Sequence, residues 1–258
     1  MENKPLISII TCTYNSEKYL PKMLDSVKNQ KFRNFEHIFV DAYSTDNTLK
    51  LIEKYDKQNK DIKVRLIKRK PNGISSAMNN GIKNARGKII QFLHSDDYYY
   101  SPSTLLEISN LFHEKSANWI IGNDITQTKG KIKIISNSKC RSILKKILIF
   151  AEDCISHPNT FMNKIIFQKY GLFDETFKVS MDYEYWLRII RYETPYYVNK
   201  NFTIFRIHGR GMSSNKENLH IKLEEDDKAF AKYFIHNPLI KNYRKIYLLI
   251  KKIKKFIS

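Results

Sequence analysis

The stretch Ile89-Ile90-Gln91-Phe92-Leu93-His94-Ser95-Asp96-Asp97 decides how the rest of the chain is read. Ile89, Ile90, Phe92 and Leu93 form an apolar run rich in β-branched and aromatic side chains, which suits a strand buried on both faces. The character then changes within one residue. His94, Ser95, Asp96 and Asp97 stand where a parallel strand reaches its carboxyl end, the place where open α/β sheets bind their ligands. Two adjacent carboxylates repel each other, so a fold tolerates them most easily when a divalent cation or solvent neutralises the pair. A metal-bearing turn and a solvated acidic turn both fit these four residues taken alone.

Working outward, strands and helices alternate. Leu6 to Thr11 reads as a first strand, followed by the polar turn Thr13-Tyr14-Asn15-Ser16 and a helix opened by Ser16 and Glu17 that carries Tyr19, Leu20, Met23, Leu24 and Val27 on one face. Phe35 to Val40 is a second strand, ended by Asp41, and capping residues from Ser44 to Thr48 lead into a helix over Leu49 to Tyr55. Ile62 to Ile67 is a third strand, and a helix from Gly73 to Ala85 closes at Gly87 before the central strand. Units of this length predict a largely parallel sheet with helices on both faces. Beyond the acidic turn, Ser103 to Lys115 reads as a helix, and Trp119 to Gly122 and Lys131 to Ser136 as two strands expected to pair antiparallel and make the sheet mixed. Ile143 to Phe150 reads as a core or interface helix, with a membrane-facing surface as the rival. His157 to Met162 leads into a short helix ended by Gly171, and Asp182 to Arg191 forms another helix.

Composition narrows the class. At 258 residues and 42% hydrophobic content the chain can bury a sizeable core, and no apolar run approaches the ~20 residues of a membrane-spanning helix. The amino terminus runs straight into the first strand, so no signal peptide is expected and the cytoplasm is the expected compartment. Cys12, Cys140 and Cys154 lack CxxC spacing, which argues against zinc or a disulfide framework. The formal charge of +19 calls for an anionic partner or surface, and no acidic residue follows Asp227. The turn after the first strand lacks GxGxxG, and no GxxxxGK[ST] occurs, so neither nicotinamide dinucleotide nor P-loop binding is expected.

Five stretches, in order, carry a family resemblance: Ser8 to Asn15 (SIITCTYN), Val40 to Thr48 (VDAYSTDNT), Gly73 to Gly81, Phe92 to Asp97 (FLHSDD) and Met181 to Arg188 (MDYEYWLR). With them the chain resembles the inverting glycosyltransferases of family 2, and the resemblance implies a Rossmann-like GT-A fold in residues 1–215. Residues 216–258 would then be a C-terminal helical extension with a basic amphipathic tail. The implied activity is transfer of a single hexose or N-acetylhexosamine from a nucleoside-diphosphate sugar, a UDP-sugar first, to a glycan or lipid-linked saccharide in cell-envelope polysaccharide synthesis.

Such a transfer needs a grip on the nucleoside, charge neutralisation on the departing diphosphate, and a base for the acceptor hydroxyl. The resemblance gives Asp41 the first role, with Thr11, Thr13 and Asn15 lining the same pocket. It assigns a diphosphate-bound Mn2+ or Mg2+ chiefly to Asp97, with Asp96 facing sugar or ribose, while His208 and Arg210 of the loop from Arg206 to Ser214 approach metal or phosphate. Asp182 is the implied catalytic base, and Glu184, two residues on, faces elsewhere on a helix. Ala42-Tyr43, Pro71 and Ser76 depart from frequent family residues, which leaves donor-sugar specificity open.

A processive synthase is disfavoured because the chain has neither spanning helices nor a QxxRW motif. A nucleic-acid-binding module and a glycan-binding protein without turnover are the rivals outside that chemistry, and no nucleic-acid partner is expected. The tail from Ile240 to Ser258 places Ile246, Leu249, Ile250, Ile253 and Ile257 on one helical stripe, with Lys241, Arg244, Lys245, Lys251, Lys252 and Lys255 on the remaining surface. It reads as a helix lying on an anionic membrane, which would make the protein peripheral on the inner face of the cytoplasmic membrane. The alternative is that the stripe packs on the catalytic domain and the lysines face water.

Overall fold

The computed structural model describes residues 4–137, 147–209, 211 and 216–257. The apolar runs become strands β1 (Ile7–Thr13), β2 (Phe35–Asp41), β3 (Lys63–Lys68) and β4 (Ile89–Phe92), alternating with helices α1 (Leu20–Lys28), α2 (Thr48–Gln58) and α3 (Gly73–Asn84). After the acidic turn come β5 (Tyr98–Tyr99), α4 (Thr104–Lys115), β6 (Trp119–Ile121), β7 (Asp124–Thr128) and β8 (Lys131–Ile135). A short 3-10 turn, His157–Asn159, precedes β9 (Thr160–Asn163), α5 (Lys164–Tyr170), α6 (Met181–Ile189), β10 (Tyr196–Tyr197) and β11 (Thr203–Ile207). Helices α7 (Leu219–Phe234) and α8 (Pro238–Ile257) complete the chain.

The main sheet has seven strands in the order β10-β6-β9-β4-β1-β2-β3. Parallel pairing sets Thr13 beside Asp41 and Ile10 beside Phe92, so the ends of β1, β2 and β4 open onto one edge. The sheet is mixed because β9 runs antiparallel between β4 and β6. This corrects the expected pairing: Lys131–Ile135 pairs with Asp124–Thr128, not with Trp119–Gly122, and lies in a second sheet of order β5-β11-β7-β8. Asp124 to Thr128 alternates polar with β-branched residues and supplies the nearest hairpin partner across Gly130, whose φ of 81° suits a tight turn. Ser138 to Lys146 lie outside the described residues, so of the segment Ile143 to Phe150 only the last part is seen: Ile149 is buried and Ile147 half exposed.

Two apolar layers sandwich the sheet. Leu20, Met23, Leu24 and Val27 of α1, Ile52 of α2 and Ile108 of α4 fill one side. On the other, Met78 and Ile82 of α3 meet Phe167, Trp186 and Leu187, and the indoles of Trp119 and Trp186 stack at 5.2 Å. Ala229, Phe230 and Phe234 of α7 belong to this second layer. Helix α7 thus buries its apolar stripe against the same core as α3 and α6. Cys12 is partly buried and its thiol is pushed up to about 12 by burial, in keeping with an inert packing role.

Candidate functional site

At one end of the site, two strand-end loops are tied together by small polar side chains. Asp41 is fully buried and its carboxylate accepts from Thr13 Oγ1 at 2.8 Å, Ser44 N at 2.8 Å and Ser44 Oγ at 2.6 Å. Asn15, at a left-handed φ of 47°, accepts from Thr45 N at 2.9 Å, and Ser16 N donates to Thr48 Oγ1 at 2.7 Å. Asparagine tolerates that backbone region better than most residues. Thr11 is placed differently from the expectation: its buried hydroxyl donates to Leu93 O at 2.7 Å and meets His37 Nε2 at 3.0 Å, so it joins β1 to β4 inside the core. Tyr14 and Tyr43, 62% and 52% exposed, stand on these loops beside Asp41.

The acidic turn separates its two carboxylates. Asp97 is turned inward with no exposed surface; one oxygen accepts from Arg206 N at 3.0 Å, and Oδ2 has no hydrogen-bond partner among the described residues. Burial first, and the neighbouring Asp96 second, hold its carboxyl well above the usual carboxylate range. Asp96 is partly exposed, and its Oδ2 lies 2.8 Å from His208 Nε2. The His208 ring stacks on Tyr19 at 4.2 Å. Arg206 fastens β11 to the turn, donating from Nε to the Asp96 carbonyl and from Nη2 to the Tyr19 carbonyl at 2.9 Å. Strand β11 thus brings His208 to the end of β4, 112 positions away in the chain. Arg210 lies outside the described residues.

Among the described residues no three His, Cys, Asp or Glu side chains converge as a complete metal cage. The donor set still fits a hard cation that draws further oxygens from a ligand: a partly exposed carboxylate–imidazole pair stands at the same turn as an orphaned carboxylate oxygen.

At the other end, Asp182 sits in the first turn of α6, where the helix dipole favours a carboxylate. Its Oδ1 accepts from Tyr183 N at 2.8 Å, and its Oδ2 lies 3.7 Å from His157 Nδ1. His157 is buried among Phe92, Phe173 and Trp186, and its ring meets that of His94 edge-on at 5.6 Å. His94 and His157 thereby connect the acidic turn to Asp182. Burial raises the Asp182 carboxyl above its ordinary range, and the Lys222 ammonium opposes the rise. Asp153, alongside, is raised well above its range by burial and by the Asp182 charge. Lys222 Nζ stands 3.8 Å from Asp153 and 3.2 Å from Asp226.

Glu184 faces away from Asp182, as the helical spacing predicts. It is fully buried and receives Arg188 Nη2 at 2.5 Å, Lys232 Nζ at 3.0 Å and the Tyr233 hydroxyl. His94 was read as part of the acidic turn, but Asp153, His157, Arg206 and Lys222 were not singled out from the sequence as site residues. None stands in a motif-like spacing; His157 alone carried a local hint, the His-Pro pair that ends an irregular segment before β9.

The glycosyl transferase family 2 model matches residues 8–171. An uncharacterised glycosyltransferase of Rickettsia prowazekii is 28% identical over 92% of this chain and 74% of its own length. A Campylobacter jejuni protein named GalNAc(5)-diNAcBac-PP-undecaprenol beta-1,3-glucosyltransferase is 29% identical over 79% of this chain and 65% of its own. Across such curated relatives the chain spans between 37% and 74% of their length. Among solved structures, Staphylococcus aureus TarS 1-349 in complex with UDP-GlcNAc superposes with a TM-score of 0.72 at 20% identity, covering 94% of this chain and 71% of that one. At that identity the likeness bears on the fold.

Proposed function

This chain belongs to glycosyl transferase family 2, and from that premise we propose that it moves one sugar from a uridine diphosphate sugar to a hydroxyl of a glycan or lipid-linked saccharide, with inversion. The observation that carries the reading is the two-ended site: a partly exposed Asp96–His208 pair at the strand edge, and a partly exposed Asp182 reached from it through His94 and His157. The TarS complex with UDP-GlcNAc supports a uridine nucleotide, and the undecaprenol-linked acceptor in the Campylobacter enzyme's name supports a lipid-linked one.

In this reading the exposed rings of Tyr14 and Tyr43 offer faces for a base, and the loops fixed by Asp41 and Asn15 hold the ribose. Asp96 and His208 would hold a Mn2+ or Mg2+ ion, which would supply Lewis-acid stabilisation of the departing diphosphate. Asp97, the residue expected to bear most of the metal, keeps β11 on the turn through the Arg206 amide, and its second oxygen would be available to the ion. Asp182 takes the acceptor proton on Oδ2, since Oδ1 is already engaged by Tyr183 N. Its raised carboxyl makes it a stronger base than an ordinary carboxylate, and turnover should climb with pH as that carboxyl ionises.

A thermal-shift screen of nucleotide sugars with and without Mn2+ tests the donor assignment, because a ligand bound only by the folded state raises the melting temperature. A uridine diphosphate sugar that stabilises only with the cation is the expected result. Stabilisation by no nucleotide sugar would remove the proposal.

The membrane arm of the reading rests on α8. Arg244 points inward, donating to Tyr183 OH at 3.0 Å and Ala151 O at 3.2 Å, while Tyr247 OH reaches Glu152 at 2.5 Å. The helix therefore meets the body through Arg244 and Tyr247. Ile246, Leu249 and Ile250 are 58%, 60% and 48% exposed, a stripe available to an anionic leaflet with the lysines beside it. No helix of the described residues is long and apolar enough to cross a membrane. Changing Ile246, Leu249 and Ile250 together to Gln should release the protein from phosphatidylglycerol vesicles at moderate salt while donor binding persists. Equal co-sedimentation of both proteins would rule the stripe out as the anchor.

A further inference from the structure

We propose that α7, beyond the stretch matched by the family model, is a working part of the catalytic apparatus, with Glu225 and Lys222 acting as positioning residues for Asp182. The proposal rests on Asp182 being the base. Three backbone amides in a row lie just ahead of α6, and Glu225 takes all of them: Lys178 N at 2.7 Å on Oε1, Val179 N at 2.8 Å and Ser180 N at 2.9 Å on Oε2. Groups in this position at a helix start have no intrahelical partner and must find one elsewhere. The local sequence does not provide it. Ser180 is the N-cap residue of α6, yet its side chain makes no capping bond, and its hydroxyl turns to Lys222 O at 3.4 Å. A carboxylate from another helix, 45 or more positions downstream, does the work instead. Asp182 follows two residues after Ser180, so its carboxylate lies where Glu225 fixes that backbone.

Lys222 stands one turn earlier on the same face of α7. Its ammonium lies 3.2 Å from Asp226 and 3.8 Å from Asp153, beside the Asp182 carboxyl whose charge it favours. The charged and titratable groups around Asp182 are thus Asp153, Asp226, Lys222 and His157: two carboxylates that oppose its charge, one cation that favours it, and a buried imidazole 3.7 Å away. Further along α7, Lys232 and Tyr233 clasp Glu184, buried in the same first turn of α6 as Asp182. A helix that only closed the core would need no more than Ala229, Phe230 and Phe234. Burying Glu225 and most of Lys222 as well carries a desolvation cost that is offset for Glu225 by the three amides ahead of α6 and for Lys222 by Asp153 and Asp226.

The test uses the full chain carrying Glu225→Gln, Lys222→Met, Lys222→Arg or Asp182→Asn, with kcat, donor KM, the pH profile of kcat and the donor-induced thermal shift read for each. Glu225→Gln should lower kcat by between about tenfold and a hundredfold, the range expected of a displaced reacting group, with donor KM unchanged. Lys222→Met should move the acid limb of kcat to higher pH, and Lys222→Arg should move it back. If Glu225→Gln fails to fold, the lysine pair decides alone. An unmoved acid limb in Lys222→Met, or a fall in kcat matched by loss of donor binding in Glu225→Gln, would overturn the proposal. Near-normal turnover in Asp182→Asn would instead remove the base assignment on which it rests, so the two failures are told apart.

Discussion

The end of this site that we propose holds the donor and the end that we propose holds the base are made of different material. The donor end is knitted from strand termini and the loops that leave them, through short bonds among Thr13, Asn15, Ser16, Asp41, Ser44 and Thr45. Its parts lie on neighbouring parallel strands, and only β11 comes from far along the chain to add Arg206 and His208. The base end is one helical turn held from outside. Asp153, His157, Lys222 and Glu225 all reach α6 from other elements, and several of them are buried charges. A ligand grip can be built from backbone that the sheet already fixes, whereas a base needs a tuned carboxyl. Tuning takes burial together with charges brought in by tertiary packing.

If the two ends are functionally separate, damage to each should have its own signature. The largest effect is expected from Asp182→Asn, which should lower kcat by about 10²–10⁴, the usual contribution of general acid–base catalysis, and leave donor KM in place. Steady-state kinetics with the donor found in the screen decides it; a raised KM at unchanged kcat would put Asp182 in the binding end. Next comes Asp96→Asn, which should weaken Mn2+-dependent donor binding at least tenfold, about 1.4 kcal/mol, because one charged partner of the ion and of His208 is lost. Unaltered metal dependence would return the ion to Asp97. The smallest effect on binding and turnover is expected at the opposite ends of these strands, where the start of β1 approaches Gly87 so closely that an added Cβ would lie 2.7 Å from Ser8 N and 2.8 Å from Ile7 C. Gly87→Ala should cost about 1–3 kcal/mol in urea unfolding, as overpacking against backbone usually does. A neutral substitution would mean that β1 yields more than the comparison supposes.

The same contrast explains what the sequence could tell. Apolar runs bounded by polar turns declared β1, β2 and β4 within a residue or two, and the polar turns that follow them announced Asp41, Asp96 and Asp97 as strand-end groups. Strand β7 was missed because Asp124-Ile-Thr-Gln-Thr128 is short and mostly polar, and β8 was consequently given the wrong partner. The stripe on α8 was visible as a periodicity. Which of its faces meets the body was not, since the contact runs through Arg244 and Tyr247 rather than through the isoleucines. Asp182 stood in a contiguous motif, but the groups that tune it, Asp153 and Lys222, sit 29 positions before it and 40 after, and no local pattern joins them. Thr11 shows the opposite error: a polar residue next to a strand end was read as pocket lining, although its hydroxyl satisfies Leu93 O in the core.

The separation of the two ends is tested most directly by calorimetric titration of the Mn2+-loaded uridine diphosphate sugar into Asp182→Asn and Asp96→Asn side by side with the native protein. The account predicts native donor affinity in inactive Asp182→Asn and loss of the cation-dependent part in Asp96→Asn. Donor affinity lost in Asp182→Asn and retained in Asp96→Asn would contradict it.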